Sequence, residues 1–220
     1  FFKRDKKVKS RRSYKAAQTG RLFADFTASS RSPDDEIKQA LQSIRYRCRD
    51  LARNDEYARR FLTLMKVNVI GEQGIRVQVK AKNSDNSFEA PGNTIIENAF
   101  KVWGRKGNCT VDGRYSWVDA QRFAIENLAR DGEVLVRLVN YRNNQERFAI
   151  EFLEPDLLDE LHNEDLQNGN QIRMGVEMDQ YHRPVAYHLM SAHPGDQEYS
   201  THRTTRRTRV PADKILHIYL

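Results

Sequence analysis

The period of apolar and polar positions changes along this chain. From Ile37 the apolar set Ile37, Leu41, Ile44, Cys48 and Leu51 recurs at spacings of 4, 3, 4 and 3 residues, which predicts an amphipathic helix reaching about Arg53. Its start is marked by Ser32 as a cap, Pro33 at the first helical position and acidic residues to Glu36 against the positive end of the dipole. A second helix is predicted from Asp55 to Val69, burying Tyr57, Phe61, Leu64, Met65 and Val69 and stopped by Gly71 and Gly74. On this reading both apolar stripes are core, and Arg45, Arg47, Arg49 and Asp50 form the solvated face. The two helices then pack on each other and on a sheet, and Leu41→Ala or Phe61→Ala costs about 2–5 kcal/mol by leaving a cavity.

Gly74–Lys82 alternates Ile75, Val77 and Val79 with Arg76, Gln78 and Lys80, the pattern of a half-exposed strand. A loop over residues 83–93 leads to a helix over Asn93–Arg105 that presents Ile96, Ala99, Phe100 and Trp103. A turn-rich connection, Lys106–Ser116, follows. Ser116 and Asp119 then form a capping-box-like start to a helix reaching Arg130, which Asp131-Gly132 ends. Beyond this point the period is two. Glu133–Tyr141, Arg147–Glu154, Ile172–Asp179, Pro184–Met190 and Lys214–Leu220 read as strands, with a hairpin turn at Asp179–Arg183. Helices first and strands afterwards predict an α+β fold, with N-terminal helices packed on a mainly antiparallel sheet.

Charge adds a second division. Residues 1–21 carry Lys3, Arg4, Lys6, Lys7, Lys9, Arg11, Arg12, Lys15 and Arg21 against Asp5 alone, a net of +8. The remainder holds 28 basic and 29 acidic side chains. The domain reading is therefore a basic extended arm, 1–31, followed by an α+β body, 32–220. The nine basic residues are the candidate nucleic-acid contacts, held by counterion release; a solvated arm is the plainer alternative. The near-neutral body suggests subunit contacts between charged faces. The basic run Arg203, Arg206, Arg207 and Arg209 reads as a mobile loop.

Catalytic chemistry is hard to find. No phosphate-cradling glycine loop is present, and Ser10, Ser13 and Ser116 have no arranged base. The six histidines, His162, His182, His188, His193, His202 and His217, show no metal-ligand spacing, so no metal or other cofactor is expected. Glu151, Glu154, Asp156, Asp159 and Glu160 are acidic and close in sequence. Magnesium-dependent DNA cleavage through Glu151, Glu154 and Asp156 is the enzymatic alternative, and solvation the simpler account. Cys48, on the apolar helical face, reads as a reduced core residue.

Several segments, in order, carry a resemblance. RRSYKAAQTGR (Arg11–Arg21), RDLARNDEYARRFLTLMKVNVIGEQG (Arg49–Gly74), Trp103, QRFAIENLARDGEVLVR (Gln121–Arg137), IEFLEPDLLD, GVEMDQYHRPVAYHL, HPGD and VPADKILH together resemble the portal proteins of lambda-type tailed bacteriophages. The chain departs from the pattern shortly after Trp103, where Lys106 and Gly107 stand in place of a second tryptophan. The resemblance implies the wing portion of a portal, without the stem, clip and crown. It implies a non-enzymatic homo-oligomer, a dodecameric ring at one capsid vertex. Its expected partners are the major capsid protein, the terminase large subunit, a head–tail adaptor and double-stranded DNA, in the virion and, during assembly, in the host cytoplasm. The runner-up is a simple nucleic-acid-binding protein using the basic arm.

Overall fold

The computed structural model describes Arg21, residues 32–195 and residues 206–219. The chain divides after Ile37 into two units, Phe1–Ile37 and Lys38–Leu220. The described part of the first is Arg21 and the segment from Ser32 that opens helix α1. The second unit contains the rest of α1 (Pro33–Asn54), then α2 (Glu56–Met65), a π-helical turn over Lys66–Ile70, α3 (Ala90–Trp103) and α4 (Trp117–Asp131). Among the described residues eight strands follow: β1 (Glu133–Asn140), β2 (Phe148–Leu153), β3 (Glu164–Asp165), β4 (Gln171–Arg173), β5 (Val176–Met178), β6 (Pro184–Met190), β7 (Arg207–Pro211) and β8 (Ile215–Tyr219).

The strands make two antiparallel sheets, one in the order β2-β1-β8 and one in the order β3-β4-β5-β6-β7. The fold is α+β, as expected. Strand β1 sits at its centre because its two faces are both apolar. Val134 and Val136 turn toward α3 and α4, packing with Trp103, Cys109, Ala120 and Ile150. Leu135 turns the other way, onto Leu158, Tyr187, Leu189 and Ile215, and so joins the two sheets. Helix α4 begins where the sequence places it. The Ser116 hydroxyl accepts from the Asp119 backbone N–H and the Asp119 carboxylate accepts from the Ser116 N–H, while Gly132 closes the helix at φ 84°.

Four expectations need correction. Ile172–Asp179 is not one strand but a hairpin, β4 and β5, turned at Met174-Gly175 with both residues at positive φ. A Cβ on Gly175 would lie 2.9 Å from the Asp159 carbonyl oxygen, so the side-chain-free residue permits this close approach. Gly74–Lys82 forms no strand apart from a bridge of Lys82 to Phe88; Gln121 and Glu97 take its backbone N–H groups instead. Arg207 and Arg209 lie on β7, not in a loop, while Arg203 is outside the described residues.

The largest correction concerns the helical stripes. Ile37, Ile44 and Leu51 on α1 are exposed, as are Tyr57, Leu64 and Val69 and, at 51%, Phe61. Cys48 is half-buried. On α3, Ile96 and Ala99 are exposed; Trp103 is buried and Phe100 partly so. Helix α1 turns Arg45 inward, only 1% exposed, with Arg49, Leu41 and Cys48 partly buried beside it, while Arg47 and Asp50 stay exposed as expected. Helix α2 buries Leu62 in place of Phe61. On α1 the physical reason is that two arginines four residues apart face a row of carboxylates that only the folded chain assembles.

Candidate functional site

Arg45 and Arg49 stand on one face of α1, one turn apart. Each reaches acids brought together from distant elements: Asp131 at the end of α4, Glu133 at the start of β1, and Asp156 and Glu160 around the 3-10 turn Pro155–Leu157. Arg45 Nη1 donates to Asp156 Oδ1 at 2.8 Å and to Glu160 Oε1 at 2.6 Å, and Nη2 donates to Glu133. Arg49 holds both oxygens of Asp131, at 3.0 and 3.1 Å, and also donates to Asp156. The fork geometry of guanidinium allows this sharing, which a lysine could not reproduce.

The network extends through two histidines. His217 Nε2 lies 2.8 Å from Glu133 Oε2, and His193 Nε2 lies 3.4 Å from Asp156 Oδ2. Electrostatics follow from the packing. Burial would lower the pKa of Arg45, but Asp156, Glu160 and Glu133 outweigh it and raise it. Arg49 is raised likewise, with Asp131 and Asp156 overcoming burial. Burial works against ionised Asp131 and Asp156 too, yet the arginines hold both below the usual carboxylate range. Glu160 moves the other way, since its burial exceeds the pull of Arg45.

A second buried carboxylate organises the other sheet. Glu177 on β5 accepts from Arg209 Nε at 2.7 Å and from Asn170 Nδ2 at 2.8 Å, with His188 Nε2 at 3.3 Å. Arg209 reaches it from β7 across β6. The paired guanidinium and the added hydrogen bonds outweigh desolvation and hold Glu177 down to about 2. Burial pushes His188 below its ordinary value. Because the folded pKa of Glu177 lies below its unfolded value, this pair contributes stability that is present above about pH 4.5 and lost as pH falls toward 2. Glu177→Gln should therefore lower the thermal midpoint most at neutral pH, and the gap to the parent should narrow between pH 5 and pH 2. A gap that stays constant through that window would remove the ion pair from the acid response.

The acidic residues singled out in the sequence do not assemble as a set. Glu154, Asp156 and His193 place ligand-type atoms within 4.8 Å of one another. However, Arg49 already lies 3.6 Å from Glu154 and bonds Asp156, so a guanidinium supplies the positive charge there. Glu151 faces Arg137 on β1, and Asp159 pairs with Arg207 of β7 at 2.5 Å. Beside α1, a cavity of about 540 Å³ is lined by Arg49, Arg53, Arg59, Lys66 and Arg130 against Glu126 and Glu154. Lys66 and Glu126 close on each other at 2.9 Å.

Of the nine arm residues, Lys3, Arg4, Lys6, Lys7, Lys9, Arg11, Arg12 and Lys15 lie outside the described residues, and Arg21 is exposed. Sequence reasoning missed Arg45, Arg49, Asp131, Glu133 and Glu177. Two arginines at helical spacing were the only available signal, and that spacing also describes a solvated face.

The carboxylates of both networks are bound to arginines. The chain belongs to the lambda family of phage portal proteins. The profile described as "Phage portal protein, lambda family" matches residues 19–220. A "Probable portal protein" of Halomonas phage phiHAP-1 is 40% identical over 206 residues, covering 93% of this chain. The chain spans about 40% of the length of that relative.

Proposed function

We propose that this chain works as the wing portion of a phage portal: a homo-oligomeric ring, dodecameric as in the family, at one capsid vertex. There it takes part in DNA packaging, DNA ejection and head–tail connection. The observation that carries this reading is the family match running from residue 19 to residue 220. The arginine–carboxylate networks support it physically. A ring subunit keeps its neighbours in register only if its own helices and sheets are locked, and Arg45 and Arg49 tie α1 to β1 and to the segment after β2. The role is geometric, not catalytic. The partners of this reading are the major capsid protein, the terminase large subunit, the head–tail adaptor and double-stranded DNA; the location is the virion, with assembly in the host cytoplasm. Mass measurement and electron microscopy of the full chain test it. A closed ring is the expected result, and a monomer or dimer under all conditions overturns it.

Within this reading, residues 1–31 are an arm and 32–220 a wing-like body. The arm's charge of +8 suits an anionic partner. If that partner is DNA, each neutralised phosphate contributes about −0.9 to the slope of log affinity against log salt. Replacing Lys6, Lys7, Arg11 and Arg12 with alanine should flatten the slope by roughly 3–4 while rings still form. Unchanged DNA affinity with loss of rings or procapsids would make the arm a protein-contact element instead.

A further inference from the structure

Helix α1 presents a mixed face to its own subunit, with Leu41 and Cys48 partly buried beside Arg45 and Arg49. Arg45 and Arg49 point inward, and Ile44 and Leu51, 55% and 50% exposed, point out. They are seven residues apart and therefore share one side of the helix, with Cys48 between them. Burying arginine while exposing isoleucine and leucine is unfavourable for a subunit alone in water, and exposed apolar surface of this kind marks an interaction site. A second apolar surface belongs to other elements. A groove of about 520 Å³ runs along β8 and is lined by Pro184, Tyr187, Ala212, Leu216 and Ile218, with Asp213 the acidic member. Leu216 and Ile218 are exposed, and β8 is an edge strand of its sheet.

We propose that the outer face of α1 in one copy of this chain seats in the β8 groove of the next copy. This rests on the ring reading above and deepens it. A helix ridge fits a groove, and the apolar row of α1 faces an apolar lining. The charges also match: the exposed Arg47, three residues from Ile44 and four from Leu51, stands beside the row on α1, and Asp213 lies in the groove. The two surfaces are different, so the contact is head-to-tail. It leaves a ridge and a groove open after each addition and ends only by closing a ring, whereas a self-matching patch stops at a dimer. An apolar contact of this kind persists as salt rises, in contrast to the charged-face contact that composition suggested.

The test uses the full chain. A photoreactive benzoylphenylalanine placed at Ile44, and separately at Leu51, is irradiated in assemblies mixed from isotopically heavy and light copies. The expected products are heavy–light cross-links to peptides carrying Leu216 and Ile218. Cross-links within one chain only, to another partner region, or none at all, overturn the proposal. In parallel, Ile44→Glu with Leu51→Glu should weaken association by about tenfold or more for each side chain, because burying one such side chain contributes on that scale. The monomer's unfolding midpoint should stay unchanged. Rings from this variant at parental strength sink the interface and leave the ring reading intact, while a parent that never forms rings sinks the ring reading itself. If the double variant misfolds, the cross-link map alone decides.

Discussion

Arg45→Ala is expected to destabilise the fold by about 3–5 kcal/mol, the range for breaking a buried ion pair from one side. The guanidinium is 1% exposed and serves Glu133, Asp156 and Glu160 at once. Removing it leaves carboxylates of low accessibility facing one another, with Arg49, His193 and His217 as their remaining partners among the described residues. Lysine should recover part of the loss, since it restores charge but not the fork that reaches three acids. Phe61→Ala, by contrast, should change stability by no more than about 0.5 kcal/mol, because its ring is half exposed. Urea unfolding of the three variants measures all of this, provided the slope stays constant. If Phe61→Ala proves the larger loss, the apolar stripe of α2 is core after all.

Trp103→Ala should cost about 3–5 kcal/mol for a different reason, the loss of a large buried ring. Trp103 joins Phe100, Trp117 and Phe148 at ring-centroid distances of 5.3, 5.4 and 5.7 Å. Its indole N–H donates to the Phe148 carbonyl at 2.9 Å, tying α3 to the start of β2. Trp103→Phe keeps an aromatic ring but loses volume and that donor, so it should fall between the parent and alanine. Calorimetric midpoints rank the series. An alanine variant that unfolds with the parent would mean that this cluster does not hold the helices to the sheet.

The inward turn of Trp103 and Phe100 was legible in advance, and that of Arg45 and Arg49 was not. Apolar spacing identifies a stripe but does not say what lies opposite it. For β1 the pattern and the partners agree: Val134 and Val136 on one face and Leu135 on the other are packed from both sides. For α1 the stripe was visible, but the buried face is shifted from it toward Arg45 and Arg49, leaving Leu41 and Cys48 only partly buried. The acids that draw Arg45 and Arg49 inward lie 82 to 115 residues away in sequence, and no local pattern connects them. Glu177 shows the same gap. It reads as the polar partner of an alternating strand until β7 folds back and brings Arg209 to it.

By itself the sequence determined where helices give way to strands, the capping and glycine stop of α4, the hairpin between β5 and β6, the charge of residues 1–21 and the family. Those depend on neighbours along the chain, on residue counts and on motif order. The tertiary structure decided which face of each helix is buried, that residues 172–179 turn back on themselves and that the acidic residues form ion pairs. Desolvation and charge pairing act between groups that meet only after the sheets have formed, so their outcome appears only once the chain is folded.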